Sequence, residues 1–147
     1  DDYNKKLIPP QEKSVSLERP WRFVDWVTPE GVNHFAEWVV SLREKHKAYM
    51  DVRLTYLAST PVWTRPTFDW LRGVKYKKIG EIRYAFKNVP HRPLGCASVH
   101  ERQVWVLLIG CTKADGVYDP RAALDIAAER REKYVAGKGS IVERRVP

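Results

Sequence analysis

Eight consecutive residues, Val104 to Cys111 (VWVLLIGC), carry no charge. A half-exposed strand would place polar residues at alternate positions, so a run apolar throughout reads as a central strand covered on both faces. The flanking patterns supply the cover. Trp21–Val27 (WRFVDWV) is aromatic and β-branched and predicts a strand. Thr28-Pro29-Glu30 then carries the marks of a helix start: an N-cap, a first-turn proline and an acid at the positive helix end. Val32, Phe35, Val39 and Leu42 recur at steps of three and four, one apolar stripe of a helix. His46-Lys47 marks a bend, and Met50, Leu54 and Leu57 continue a second helix that stops before Pro61. The pair predicts a helical hairpin, with His34 and His46 as surface residues.

Residues 61–80 hold Pro61, Pro66, Gly73 and Gly80, with Trp63, Phe68, Trp70 and Leu71 between them. This irregular stretch is read as anchored in the core by its aromatics; the other reading is a stacking platform for bases. Glu81–Lys87 (EIRYAFK) alternates cleanly and predicts a strand with Ile82, Tyr84 and Phe86 on one face and Glu81, Arg83, Ala85 and Lys87 on the other. Asn88-Val89-Pro90 predicts the turn. His91–Val99 follows as a strand in which Pro93, lacking a ladder donor, demands a bulge or an edge. His100–Gln103 reads as a hairpin loop. Asp119-Pro120 opens the last helix, which carries Ala123, Ile126, Ala127 and Tyr134 and stops at Gly137 and Gly139. The remaining SIVERRVP reads as a short basic tail.

The expected fold is α+β: a small twisted, mainly antiparallel sheet packed on a helical hairpin, with a C-terminal helix. At 147 residues one domain is expected, residues 21–147, preceded by an extended arm over residues 1–20 that contains Pro9, Pro10 and Pro20. No apolar run reaches the length of a membrane span and no secretory h-region is visible, so no membrane partner is expected. The two cysteines, Cys96 and Cys111, sit in apolar runs without zinc spacing. Two buried, reduced thiols in a cytoplasmic protein is the first reading and a disulfide the second.

The formal charge is +8. Its distribution is uneven: between residues 72 and 92, Arg72, Lys75, Lys77, Lys78, Arg83, Lys87 and Arg92 face a single acid, Glu81. A localised positive field suits a polyanion or an acidic protein. With Asn88-Val89 as the turn, Arg83 is diagonal to Arg92 on one face, within reach of long side chains. Two guanidiniums so placed repel unless an anion lies between them, and arginine's planar fork suits phosphate. Two readings stay open: a shared phosphate, or a nearby carboxylate such as Glu81.

Lys113 follows the apolar strand and sits at the rim of the sheet, either as a site residue or as a solvated loop lysine. Tyr134 belongs to the core or reaches the same rim. His91 is the best acid–base candidate, with a structural histidine as the alternative. There is no phosphate loop, no HExxH, no GxSxG and no metal-ligand spacing, so no metal and no cofactor are expected.

Gly80-Glu81-Ile82-Arg83, Arg92 near the start of the next strand, VWVLLIGCTKADG ending with Lys113, and the helix DPRAALDIAAERREKY follow one another in an order that resembles the RelE/HigB superfamily of toxin–antitoxin toxins, in particular its phage-derived branch. The resemblance covers about Trp21 to Tyr134. It implies a compact RelE-like ribonuclease fold that works without a metal, cuts mRNA on the ribosome and is neutralised by an antitoxin protein. It also implies that Arg83 and Arg92 bind the scissile phosphate, that Lys113 adds positive charge, and that Tyr134 orients the RNA. The expected function is a metal-independent endoribonuclease acting by 2′-OH attack, with catalytic residues Arg83, Arg92, Lys113, His91 and Tyr134, and with Arg72, Lys75, Lys77, Lys78 and Lys87 binding RNA. The alternative is a non-catalytic module of the same fold that binds a protein or a nucleic acid.

Overall fold

The computed structural model describes residues 19–147, so the expected arm lies outside the described residues apart from Arg19 and Pro20. Among the described residues the chain is mixed α+β, with three helices and two sheets rich in antiparallel pairs. The helices are α1 (His34–Val40), α2 (Glu44–Ala58) and α3 (Ala123–Val135). The larger sheet contains β1 (Arg22–Val27), β2 (Phe68–Trp70), β3 (Gly80–Ile82), β6 (Leu94–Ala97), β7 (Val104–Ile109) and β10 (Ser140–Arg144), in the order β10-β1-β7-β6-β3-β2. The smaller one orders β4 (Tyr84–Phe86), β5 (Val89–His91), β8 (Thr112–Ala114) and β9 (Val117–Asp119) in sequence.

All of β7 is buried, between β1 running parallel and β6 running antiparallel. Its side chains divide by alternation. Trp105 and Leu107 pack with Phe35 and Val39 of α1 and with Met50, Leu54 and Leu57 of α2. Val104, Val106 and Leu108 pack with Val24, Trp26 and Tyr134 on the α3 side. The apolar run is therefore the middle layer of a helix–sheet–helix stack. Trp63 and Phe68 join the α1–α2 side of the core, the outcome expected for the aromatics of residues 61–80, whereas Trp70 stays half exposed.

Several local expectations shift for identifiable reasons. The first helix begins at His34, not Pro29. The Thr28 hydroxyl accepts from the Val32 amide, closing a turn that Gly31 completes at φ 90°, and Asn33 caps the helix through the Ala36 amide. The bend expected at His46-Lys47 falls at residues 41–43, and His46, expected at the surface, is buried inside α2.

The strand expected over residues 81–87 is split into β3 and β4. Ile82 donates to the Pro93 carbonyl, but the return bond needs a donor that Pro93 lacks, so the ladder lapses there. The demanded bulge follows immediately, between Leu94 and Gly95. The turn is Lys87-Asn88, both with positive φ, rather than Asn88-Val89. A two-residue hairpin turn of this kind needs left-handed backbone at both positions, which asparagine tolerates and a β-branched valine does not.

Lys113 is not in a loop. It lies on β8, paired with Tyr118 of β9 across the Asp115-Gly116 turn. Gly110 lets the chain leave β7 for this second sheet, because a Cβ there would stand 2.0 Å from the Trp38 ring. The last helix starts at Ala123, three residues beyond Pro120, and the expected tail forms β10, an edge strand on β1. Arg144 of β10 donates to both oxygens of buried Asp25, each at 2.7 Å. Cys96 and Cys111 are buried free thiols. No helix among the described residues is long and apolar enough to cross a membrane.

Candidate functional site

The register that pairs Tyr84 with His91 and Glu81 with Leu94 sets Arg83 directly across from Arg92, where the shifted turn has moved it from the diagonal position expected. Neither backbone bonds to the other. The Arg83 amide donates outward to Thr67 (2.9 Å), and the Arg92 amide donates to Cys111 (2.8 Å), whose thiol in turn donates to the Arg92 carbonyl. Both arginines thus sit at the point where the two sheets part.

Between their side chains lies Glu81, 5% exposed. Its Oε2 is 3.5 Å from Arg83 Nε and 3.8 Å from Arg92 Nε, while its Oε1 accepts a 2.5 Å hydrogen bond from the Tyr118 hydroxyl. Of the two open readings of the arginine pair, the carboxylate is the one seen: the guanidiniums gather on one side of the hairpin, and what they share is Glu81. They approach it as ions without hydrogen-bonding to it. Arg92 Nε is buried without a hydrogen-bond partner among the described residues, and Arg92 Nη1 donates to the His91 carbonyl (2.9 Å). Burial draws the Arg92 guanidinium below the ordinary arginine range, opposed by the charge of Glu81. Burial, with the bond to Glu81, pushes the Tyr118 phenol well above its usual range.

Lys113 Nζ lies 5.0 Å from the centre of the Tyr118 ring, a cation–π contact that ties it to the same cluster. Asp69 is 3.9 Å from Arg83 but is already matched by Arg65 at 2.9 Å. The cluster of Arg83, Arg92 and Lys113 against Glu81 therefore keeps a net charge of +2 in a partly desolvated setting. Such a site can hold an anionic group, with Arg83, its side chain 24% exposed, the more accessible of the two arginines.

His91 and Tyr134 are not brought to this cluster. His91 follows the alternation of its strand and turns to the opposite face from its neighbour Arg92. There its ring stacks on that of His46, with centroids 4.0 Å apart and planes 12° apart. His46 Nε2 is 2.8 Å from the Tyr84 hydroxyl, and Phe86 covers its ring at 4.9 Å. Burial, reinforced by His46 and Arg92, lowers His91 to about 4, and its Nδ1 has no hydrogen-bond partner among the described residues. This is a packed imidazole pair. Tyr134 sits beyond the other end of β6, its hydroxyl donating to Ser98 and accepting from the Val99 amide. From Arg92 to Ser98 is roughly 20 Å of extended chain.

The basic segment also divides. Lys75 is held by Asp125 of α3 at 3.0 Å, and Lys87 sits in the β4–β5 turn over Phe86. Arg72, Lys77 and Lys78 are exposed on the β2–β3 loop. Tyr118 was missed by sequence reasoning. Asp115-Gly116 between short alternating stretches was the hairpin signal that could have placed it opposite Lys113. Among the described residues no group of three or more His, Cys, Asp or Glu is placed to hold a metal ion.

Compared with known proteins, the chain matches no family model, no curated protein and no solved structure.

Proposed function

We propose that this chain is a toxin of the RelE/HigB type, a metal-independent endoribonuclease of ribosome-associated mRNA that is held in check by an antitoxin protein. The observation that carries the reading is the facing pair Arg83 and Arg92, joined by Lys113 with net positive charge where the two sheets part. In the proposed reaction the ribose 2′-OH attacks its own 3′-phosphate. The O2′–P bond forms as the 2′-OH proton passes to water, the P–O5′ bond breaks as the departing O5′ takes a proton from water, and the products are a 2′,3′-cyclic phosphate and a 5′-hydroxyl. Negative charge builds on the phosphorane oxygens, and fixed cations aimed at it lower the barrier. The nucleophile belongs to the substrate, so what the protein must supply is mainly positioning and charge. Arg83 is the more accessible arginine, Arg92 is held by Glu81 and the His91 carbonyl, and Lys113 extends the positive field. His91 and Tyr134, turned to other surroundings, have no part in this chemistry. The test is primer extension on cellular mRNA after brief induction: new 5′ ends with the wild type and none with Arg92→Ala support the reading, and unchanged mRNA with the wild type refutes it.

The second reading is a binding module that cuts nothing. It is favoured by one specific feature, the lack of any imidazole facing the cationic cluster. Such a protein binds its partner with a steep salt dependence and leaves RNA intact; 2′,3′-cyclic phosphate ends on treated mRNA would exclude it.

A further inference from the structure

We propose that the loop joining β2 to β3 is a nucleotide subsite in which Trp70 stacks on one base of a single-stranded RNA while Lys77 and Lys78 hold the flanking phosphates. The proposal rests on the RNA reading above and extends it to residues outside the arginine cluster.

Among the six tryptophans, all within the described residues, Trp70 alone is exposed, at 51%. Edge contacts to Phe68 (5.1 Å) and Trp105 (5.8 Å) fix its orientation from below, so half of a rigid indole is presented to solvent. It lines a pocket of about 590 Å³ with Leu71, Gly73, Val74, Lys77 and Lys78. The lining holds two cations and no carboxylate. Val74, at its rim, is 93% exposed.

The loop is built to keep this shape. Leu71 donates to the Ile79 carbonyl (2.9 Å), continuing the β2–β3 ladder, and Tyr76 donates to Gly73 (3.2 Å) to close a single 3₁₀ turn over Val74–Tyr76. The Tyr76 hydroxyl and Lys75 both engage Asp125 of α3, at 2.6 and 3.0 Å. Lys75 and Tyr76 therefore anchor the loop; Lys78 lines only the Trp70 pocket, and Lys77 stands between it and a second cleft that holds Asp125, Glu129 and Glu132. A preorganised aromatic face beside cations is the arrangement that binds single-stranded nucleic acid, since every base has a π-face and the backbone supplies the anions. An acidic peptide would satisfy the lysines but would leave the indole without a planar partner. β2 is the edge strand of its sheet, and Trp70 directly follows Asp69, which contacts Arg83. A strand bound at the arginines meets the tryptophan by crossing that edge.

The experiment uses the full chain and a fluorescein-labelled 2′-O-methyl decauridylate, which cannot be cleaved, together with versions abasic at each single position. Anisotropy titrations are expected to show Trp70→Ala weakening binding about 5- to 150-fold, the range of one base–aromatic stack, with Trp70→Phe retaining most of the affinity. One abasic position is expected to weaken binding to the wild type and to leave Trp70→Ala unaffected. The abasic effect on the wild type probes stacking from the ligand side, and circular dichroism of Trp70→Ala, with the retained affinity of Trp70→Phe, separates lost stacking from lost folding. Lys77→Ala with Lys78→Ala is expected to reduce the slope of log affinity against log salt by about 1.4. Equal affinity of wild type and Trp70→Ala, no abasic position coupled to Trp70, or equal competition by polyglutamate overturns the subsite. Cleavage is scored separately: coupling without cleavage of natural RNA keeps the subsite and ends the nuclease reading, and cleavage without coupling does the reverse.

Discussion

Arg83 and Arg92 face one another across a hairpin and approach the same atom, Glu81 Oε2, at 3.5 and 3.8 Å. The shared carboxylate has two opposing effects. It lets two guanidiniums coexist in a partly buried place, and it competes with any anionic ligand for them. Glu81→Gln keeps an acceptor for the Tyr118 hydroxyl but removes the charge. The fold is expected to lose about 3–5 kcal/mol, because Arg92 is left without its carboxylate and Arg83 keeps only the distant Asp69, while binding of the uncleavable oligonucleotide tightens. Urea denaturation and anisotropy on the same preparation check the two effects, which carry opposite signs.

Removal of one cation tests the proposed chemistry more directly. Arg92→Ala is expected to lower the cleavage rate by about 10²–10³-fold, the usual cost of losing one preorganised contact to transition-state charge. Arg83→Lys keeps the charge but loses the planar fork, and a smaller loss is expected. Single-turnover cleavage followed by gel, with circular dichroism to confirm folding, measures both.

The stacked pair of His46 and His91 makes the fold sensitive to acid. Burial lowers both imidazoles, His91 to about 4, so the folded state favours their neutral forms. An unfolded histidine takes up its proton near 6.5. This stabilisation is therefore complete above that pH, declines as pH falls from about 6.5 to about 4, and changes no further below, where both states are protonated. The contribution of His91 is roughly 3 kcal/mol at most. Thermal melts between pH 7 and pH 5 are expected to show the decline. His91→Phe, which keeps the stack and removes an orphaned Nδ1, is expected to flatten it and to raise stability at pH 7 by about 1 kcal/mol.

The last strand is held by charge as well as by its ladder. Asp25 is 3% exposed and receives both Arg144 bonds and a 3.0 Å bond from Asn33. Arg144→Ala is expected to destabilise the protein by about 3–5 kcal/mol, since it strands a buried carboxylate. Pairing it with Asp25→Asn is expected to recover part of that loss, as read by denaturant midpoints.

What could be read from the chain follows the range of the forces involved. VWVLLIGC placed the middle strand because burial on both faces leaves a mark within a few residues, and Phe35 and Val39 placed the first helix for the same reason, although Val32 and Leu42 of the same stripe fall outside it. Turn chemistry was legible only in part. The intolerance of Val89 for left-handed backbone fixes the turn at Lys87-Asn88, and that one-residue shift brings Arg92 from a diagonal position to one directly across from Arg83. His46 was misjudged because its partners, Tyr84, Phe86 and His91, lie about forty residues away in sequence. The SIVERRVP segment read as a tail because its reason for being a strand, buried Asp25, is in β1 at the other end of the chain.

The parting of the two ladders at Pro93 has a mechanical consequence. Each arginine is fastened by its amide to an outer neighbour, Thr67 or Cys111, and no backbone bond bridges the gap between them. With no ladder between them, the span between the two guanidiniums is set by side chains: by Glu81 between them, and by Tyr84, Phe86 and His91, which fasten the β4–β5 ribbon to His46 of α2.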